Sequence, residues 1–163
     1  MHVMIDLETA AVGARAPIVE IGACHFNSSA VGARFHVEVD LWDVMLRTGR
    51  MPDRDTLGWW RMQDQPKREN VKRLSVALDS FSEWMEGREF HHVWANSPAF
   101  DCVILQGHYT EMRLTAPWSY RQELDYRTMR WFSGFARPEE VTHNAMEDAV
   151  GQAEALIKAG IDL

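Results

Sequence analysis

The chain has 163 residues, 46% hydrophobic and 25% charged, which fits a single globular domain with a sizeable core. It has no apolar run near the roughly 20 residues that a membrane-spanning helix needs, and its first residues do not resemble a signal peptide. The formal net charge of −7 argues against a protein that coats duplex DNA through phosphate contacts. We therefore expect a cytoplasmic protein with no membrane partner, and we expect Cys24 and Cys102 to be buried free thiols.

The first part of the chain predicts three strands joined by short links. Residues 3–6 are typical of a short buried strand, and residues 18–26 of a second strand. Residues 34–39 alternate apolar and polar side chains, as a strand with one solvent-facing side does. The short connections favour an antiparallel meander.

The rest of the chain predicts helices and strands in alternation, which is a mixed α/β layout. Residues 41–73 show little pattern beyond a short helix at 53–62 and a polar loop at 63–70. The later predictions are helices at 75–86 and 100–112, strands at 92–95 and 123–126, a short helix ending at 131, and a last helix at 145–159.

Two acidic residues lie where the first predicted strand ends. Asp6 and Glu8 are two positions apart, so in extended backbone their side chains project from the same face and can reach one cation. Hard cations such as Mg²⁺ and Mn²⁺ prefer carboxylate oxygens. Surface carboxylates also occur at this spacing, but unpaired acids beside a buried strand are costly without compensation. The pair is therefore a candidate metal site.

Two further acids and a histidine lie at the ends of predicted elements. Asp101 would open the helix after the fourth strand, where an acid also stabilises the helix dipole without any other role. Asn144 and Glu147 have the spacing of a capping box. His143 would then precede the last helix and Asp148 would lie about one turn inside it. Each could be a solvated surface residue, but all of them occupy element ends, as the first acidic pair does.

These segments resemble the DnaQ-like 3′–5′ exonucleases of the ribonuclease H-like superfamily, in the DEDDh subgroup. The first motif of that family is Asp-x-Glu on the first strand, matched at residues 6–8. The second combines Asn with Phe-Asp, matched at residues 96–101, and the third is His followed five residues later by Asp, matched at residues 143–148. The resemblance spans essentially the whole chain. It implies a ribonuclease H-like mixed five-stranded sheet flanked by helices.

The resemblance also implies a two-metal mechanism with Mg²⁺, for which Mn²⁺ can substitute. Asp6, Glu8 and Asp148 would bind the first ion, Asp6 would also reach the second, and Asp101 would support the second. His143 would take the proton from the attacking water, because an imidazole titrates near neutral pH. The implied reaction hydrolyses single-stranded RNA or DNA, or 3′ overhangs, to nucleoside 5′-monophosphates.

Seven other residues are candidate substrate contacts: Leu7, Thr9, Trp59, Trp60, Asn96, Phe100 and Arg127. Leu7 and Phe100 could wedge against the terminal base or simply pack in the core. The adjacent tryptophans could stack on bases, although neighbours in a helix face different directions and at least one is expected in the core. Asn96 would position the following helix or touch the terminal nucleotide. Arg127 could contact phosphate or pair with Asp125.

A local basic cluster could grip the phosphate backbone or form a solvated surface: Lys67, Arg68, Lys72 and Arg73. The spacing between Asn96 and Phe100 departs from proofreading enzymes and is closer to compact phage and bacterial exonucleases, some of which act on RNA.

Alternatives stay open at the level of sequence. One is a hydrolase specific for short oligonucleotides with the same site. Another is a non-catalytic nucleic-acid-binding module of the same fold, against which the complete set of acids and histidine argues. RNA and DNA are not distinguished. Seven tryptophans and nine methionines leave room for a homodimer interface.

Overall fold

The computed structural model describes residues 1–63, 71–87, 89–136 and 142–161. One sheet contains five strands: β1 His2–Thr9, β2 Ile18–Phe26, β3 Val31–Glu38, β4 His92–Ala95 and β5 Glu123–Asp125. Their spatial order is β3-β2-β1-β4-β5. β1 pairs antiparallel with β2 and parallel with β4, so the strand that carries Asp6 and Glu8 lies at the centre of the sheet.

The described residues also contain α-helices that cover both faces of this sheet. They are α1 Leu41–Thr48, α2 Arg54–Met62, α3 Leu74–Glu86, α4 Asp101–Glu111, α5 Tyr126–Ser133 and α6 Ala145–Lys158. A one-turn 3₁₀ helix, Tyr120–Gln122, precedes β5. No helix in the described ranges is long and apolar enough to cross a membrane.

Alternation along β1 divides the apolar interior into two layers. Val3, Ile5 and Leu7 pack with residues of α3 and α4 on one face of the sheet. Met4 lies on the opposite face with apolar residues of α6 and the buried ring of Tyr126. Asp6 and Glu8 continue the Met4 side of the strand, so they project from the face that α6 covers.

The mixed five-stranded sheet with flanking helices is confirmed, and most predicted elements are found within a few residues of their expected bounds. The first strand is longer than predicted, because it continues through both acids to Thr9. The third strand begins earlier, at Val31. Tyr126 opens α5 and does not end the fifth strand.

Helix α1 was not predicted, for a physical reason. Asp40 caps its start by accepting a hydrogen bond from the Trp42 amide at 2.9 Å, and Gly49 ends it with a φ of 67°. Only Val44 is buried, while Trp42 and Leu46 are exposed. Leu41, Val44 and Met45 have helical spacing and lie on the inward side, but the exposed apolar residues Trp42 and Leu46 hide this pattern in the sequence.

The two cysteines are buried free thiols, as expected. Burial raises the pKa of Cys24 to about 12 and also raises that of Cys102, so both stay protonated near neutral pH.

Candidate active site

The site begins with the carboxylates on the α6 side of β1. In the register between β1 and β2, Asp6 lies opposite Gly22 and Glu8 lies opposite Glu20. Residues opposite each other in an antiparallel pair share a face of the sheet. Asp6 and Glu8 therefore lie beside Gly22 and Glu20 of β2, on the face of the sheet that the start of α6 covers.

Gly22 allows α6 to approach this surface closely. A Cβ on Gly22 would overlap the backbone of Ala145 and Met146. Backbone atoms cannot rotate out of the way as a side chain can, so only glycine fits here without moving the helix. Asn144 caps the helix by accepting from the Glu147 amide at 3.0 Å, which is one half of the predicted capping box, while the Asn144 amide itself donates to Thr142 Oγ1 at 3.3 Å.

Glu20 of β2 holds the start of α6 through a hydrogen bond. Its side chain is buried, and Oε1 accepts from the Ala145 amide at 3.0 Å and contacts His36 Nε2 at 2.7 Å. A carboxylate at a helix start satisfies a free amide and favours the positive end of the helix dipole. Glu20 is thus a positioning residue for the segment that carries His143 and Asp148.

Asp148 holds the turn before α6 in place. Its carboxylate accepts from the Thr142 amide at 2.9 Å and from the His143 amide at 3.1 Å. His143 has a φ of 54°, a left-handed conformation that non-glycine residues rarely adopt. One ligand atom from each of Glu8, His143 and Asp148 lies within 4.8 Å of the others. Residues from the two ends of the chain therefore meet at one point.

The tryptophans of α2 enclose His143 from the other side. The rings of Trp59 and His143 meet edge to face with centroids 4.7 Å apart, and the Trp60 ring lies 6.4 Å from the imidazole. Trp60 Nε1 donates to the Thr9 carbonyl at 2.9 Å, which ties α2 to the end of β1. Neither indole is in the two apolar layers, so the expectation that at least one is core is wrong.

Two cavities flank the end of β1. The cavity on the α2 side has a volume of about 770 Å³ and is lined by Glu8, Thr9, Ala11, Val12, Asp53, Asp55, Thr56, Trp59 and Trp60. The cavity on the α4 side has a volume of about 290 Å³ and is lined by Asp6, Leu7, Asn96, Ser97, Phe100, Asp101 and Arg127. Asp6 and Leu7 line the smaller cavity and Glu8 lines the larger one, so the end of β1 contributes to both.

Asp101 is the buried acid of the smaller cavity, only 4% exposed. It opens α4, and its Oδ2 accepts from the Ser97 amide at 3.3 Å. Burial raises the pKa of Asp101 to about 7, although hydrogen bonds from backbone amides and the charge of Arg127 oppose the shift. The protein alone therefore stabilises the ionised form of Asp101 poorly.

The ionised form of Asp6 is disfavoured even more strongly. Burial, followed by the charges of Asp101 and Glu8, raises the pKa of Asp6 well above its ordinary value. Gln152 Nε2 donates to Asp6 Oδ1 at 2.8 Å and partly offsets this. Clustered carboxylates that are expensive to ionise are a suitable donor set for hard divalent cations, which supply the missing charge. The residues present therefore fit a metal centre.

The other candidate contacts in the smaller cavity have mixed environments. Leu7 is 5% exposed and belongs to the core, and Phe100 packs against that core while lining the cavity. Asn96 accepts from the Arg127 amide through its carbonyl at 3.3 Å. The exposed Arg127 side chain donates from Nη2 to Ser97 Oγ at 3.0 Å.

The remaining sequence predictions concern charged residues. Asp125 caps α5 by accepting from the Thr128 amide at 2.6 Å. Of the basic cluster, Lys67 and Arg68 lie outside the described residues. Lys72 forms a backbone bridge with Val39, and Arg73 precedes α3. Neither lines the two cavities, so the proposed backbone clamp stays a prediction.

Three residues at the site were not foreseen as functional: Glu20, Gly22 and Gln152. Gln152 is four residues after Asp148 on α6, and that spacing on one helix face could have identified it. No comparable signal existed for Glu20 and Gly22, because all nine residues of β2 are buried and the strand has no solvent-facing side.

Comparisons with known proteins identify the family and the fold of this chain. Residues 1–159 match the Rv2179c-like domain family, described as a 3′–5′ exoribonuclease domain. No curated protein sequence matches significantly. The fold is similar to the nuclease domain of 3′hExo, a DEDDh family member bound to rAMP, with 13% identity over 96% of this chain and 90% of that chain and a TM-score of 0.67.

Two other solved structures share the fold. E. coli exonuclease I, in complex with a dT13 oligonucleotide, has 13% identity and a TM-score of 0.66 over 96% of this chain and 39% of that one. Exonuclease X, in complex with 5′ overhanging duplex DNA, has 15% identity and a TM-score of 0.52 over 98% of this chain and 90% of that one. The family match and the shared fold confirm the resemblance to DEDDh exonucleases.

Proposed function

Because this chain belongs to the Rv2179c-like family of 3′–5′ exoribonuclease domains, it is a 3′–5′ exonuclease, and we propose that it shortens single-stranded RNA from the 3′ end. The observation that carries the proposal is the meeting of Glu8 with His143 and Asp148 within 4.8 Å, beside Asp6. The choice of RNA rests on the description of the family.

Similarity to DEDDh nucleases implies that the enzyme uses divalent metal. We propose Mg²⁺ as that metal, with Mn²⁺ able to substitute, held by Asp6, Glu8, Asp101 and Asp148. The raised pKa of Asp6 supports this assignment, because its causes after burial include the charge of Asp101 and Glu8. When bound, such ions act as Lewis acids that stabilise charge on the attacking and leaving oxygens of the phosphodiester.

The chain itself orients the groups that handle the proton and the substrate. His143 would accept the proton of the attacking water, and two contacts support this role. Asp148 accepts from its backbone amide at 3.1 Å, and an edge-to-face contact with the Trp59 ring restrains its imidazole. The 3′-terminal nucleotide would lie between Leu7 and Phe100 in the smaller cavity, with Arg127 near its phosphate. Thr9, Trp59 and Trp60 would line the path on the other side.

The test is a time course on matched 5′-labelled single-stranded RNA and DNA in Mg²⁺. We expect a ladder of products that shorten from the 3′ end, faster on RNA, and no cleavage in excess chelator. Asp6→Asn should lower kcat by about 10³-fold or more, because charge stabilisation at the reacting phosphate is lost. The matched control is Asp79→Asn, an exposed acid on α3 that should keep wild-type activity.

Three results would contradict the proposal, and a fourth would favour its nearest alternative. Cleavage that persists in chelator would remove the metal role. Full activity of Asp6→Asn would remove the assignment of the site. A preference for dinucleotides over longer strands would favour the oligonucleotide hydrolase, and faster digestion of DNA would contradict the choice of RNA.

A further inference from the structure

The solvent face of α5 carries an unusual combination of side chains. Tyr126 is buried and Met129 packs beside it, which fixes the opposite face outward. On that outward face Trp131 is 77% exposed and Phe132 is 75% exposed. Large adjacent aromatics this exposed mark an interaction site more often than an ordinary surface.

Two arginines share this face. With 3.6 residues per turn, Arg127 projects about 40° from Trp131 and about 60° to the other side from Arg130, so it lies between them on the helix surface. Arg127 is exposed and Arg130 is half-buried. Neither forms an ion pair with a carboxylate in the described part of the chain, although the protein carries a net charge of −7. Among the described residues the face therefore places positive charge beside exposed rings, and the charge of Arg127 also acts on the buried Asp101 carboxyl, whose pKa it lowers against the effect of burial.

The face begins at the catalytic site. Arg127 lines the cavity that contains Asp6 and Asp101, and its amide bonds the Asn96 carbonyl at 3.3 Å. Trp131 lies four residues further along the helix, about 6 Å away along its axis. A strand whose 3′ end occupies the cavity would have its next nucleotides within reach of this face.

We propose that the α5 face, formed by Arg127, Arg130, Trp131 and Phe132, binds the single-stranded part of the substrate upstream of the scissile phosphate. The arginines contact phosphates and Trp131 stacks on a base. Phe132 supports the indole in an edge-to-face contact with the ring centroids 5.0 Å apart. Stacking accepts any base, so this subsite grips the strand without reading its sequence. The inference rests on the proposed nuclease function.

The charge on the face argues against a second copy of the chain as its occupant. In a two-fold symmetric dimer each patch meets itself. Arg127 and Arg130 of one copy would then approach the same arginines of the other copy, which like-charge repulsion disfavours. A polyanion with exposed bases complements both features of the face, the positive charge and the aromatic rings.

The test compares a dinucleotide with a dodecanucleotide of RNA as substrates for Trp131→Ala. We expect KM for the dodecanucleotide to rise about tenfold or more, because one stacking contact is lost, while KM for the dinucleotide and kcat for both stay within twofold of wild type. The matched control is Trp42→Ala, since Trp42 on α1 is also 70% exposed and lies on another element. It should behave as wild type.

A binding measurement separates this inference from the proposed function. Fluorescence anisotropy of a labelled dodecanucleotide in chelator requires no turnover. If the wild type hydrolyses neither substrate, the proposed function fails, yet weaker binding by Trp131→Ala than by Trp42→Ala still supports the α5 subsite. Arg130→Gln should reduce the slope of log K against log salt by about 0.7, the value for one phosphate contact on a single strand.

Three outcomes would overturn the inference. Equal losses on both substrate lengths would place Trp131 in the catalytic site or in the fold. Unchanged binding in both variants of α5 would exclude contact with the strand. If the wild type is a dimer in sedimentation equilibrium and Trp131→Ala is a monomer, with a loss of activity that does not depend on substrate length, the face is an interface between copies.

Discussion

The close contact between Gly22 and α6 leads to a sharp prediction for Gly22→Ala. The added Cβ would overlap the carbonyl carbon of Ala145 and the amide of Met146. Both are backbone atoms at the start of a packed helix, so the overlap is relieved only by moving the helix away from β2. The start of α6 carries Asp148, and the displacement therefore reaches the proposed metal site.

The size of the effect follows from the overlap. Carbon atoms pack at about 3.5–4 Å, so the helix start must retreat by about 1 Å or more. A misplacement of about 1 Å at a catalytic site lowers the rate by about 10²-fold, equivalent to about 2.7 kcal/mol of activation free energy. Overpacking of the interior should also lower the free energy of unfolding by about 1–3 kcal/mol.

The assay is kcat for 3′-end digestion at saturating substrate and metal, well below the Tm of the variant. The control is Gly32→Ala in β3, where an added Cβ would meet the His25 carbonyl oxygen at an ordinary 3.6 Å. Wild-type kcat and stability in Gly22→Ala would refute the requirement for close approach. A loss of stability with unchanged kcat would show that the position of the start of α6 does not control the catalytic rate.

Two other perturbations test the buried carboxyl groups. Glu20→Ala leaves the Ala145 amide without its acceptor and should cost about 1.5–3 kcal/mol of stability and lower kcat, whereas Glu20→Gln keeps an acceptor and should restore most of kcat; equal effects of both variants on kcat would contradict the positioning role. The Asp101 pKa of about 7 means that the folded protein holds this proton up to near pH 7, while the unfolded chain releases it near pH 4. In chelator this group should therefore make stability fall as pH rises from about 4 to 7, relative to Asp101→Asn, and urea unfolding at pH 5 and pH 8 checks the difference. A difference that does not depend on pH would refute the raised pKa.

The sequence identified the fold and brought five residues to attention because their signals are local. Asp6 and Glu8 interrupt an apolar strand, and His143 and Asp148 flank a recognisable helix cap. Their catalytic roles stay predictions, but the structure brings Glu8, His143 and Asp148 to one point, with Asp6 beside them.

Glu20 and the α5 face depend on long-range packing and could not be found in this way. Glu20 looks like an ordinary polar residue of a strand until α6, 125 residues later in the chain, places the Ala145 amide on its carboxylate. Likewise, the exposure of Trp131 and Phe132 becomes visible only when Tyr126 and Met129 are seen to occupy the buried side of α5.

The energetics of the site separate folding from metal binding. Burial of Asp6, followed by its closeness to Asp101 and Glu8, raises the pKa of this carboxyl, so holding it ionised there costs free energy. The apolar layers on both faces of β1 offset this cost, since residues such as Val3, Ile5 and Met4 are fully buried there. Small metal domains lack such layers and need the ion to fold. Here the apolar layers hold the acids in place, so a cation bound at the proposed site would relieve repulsion that the fold has already imposed.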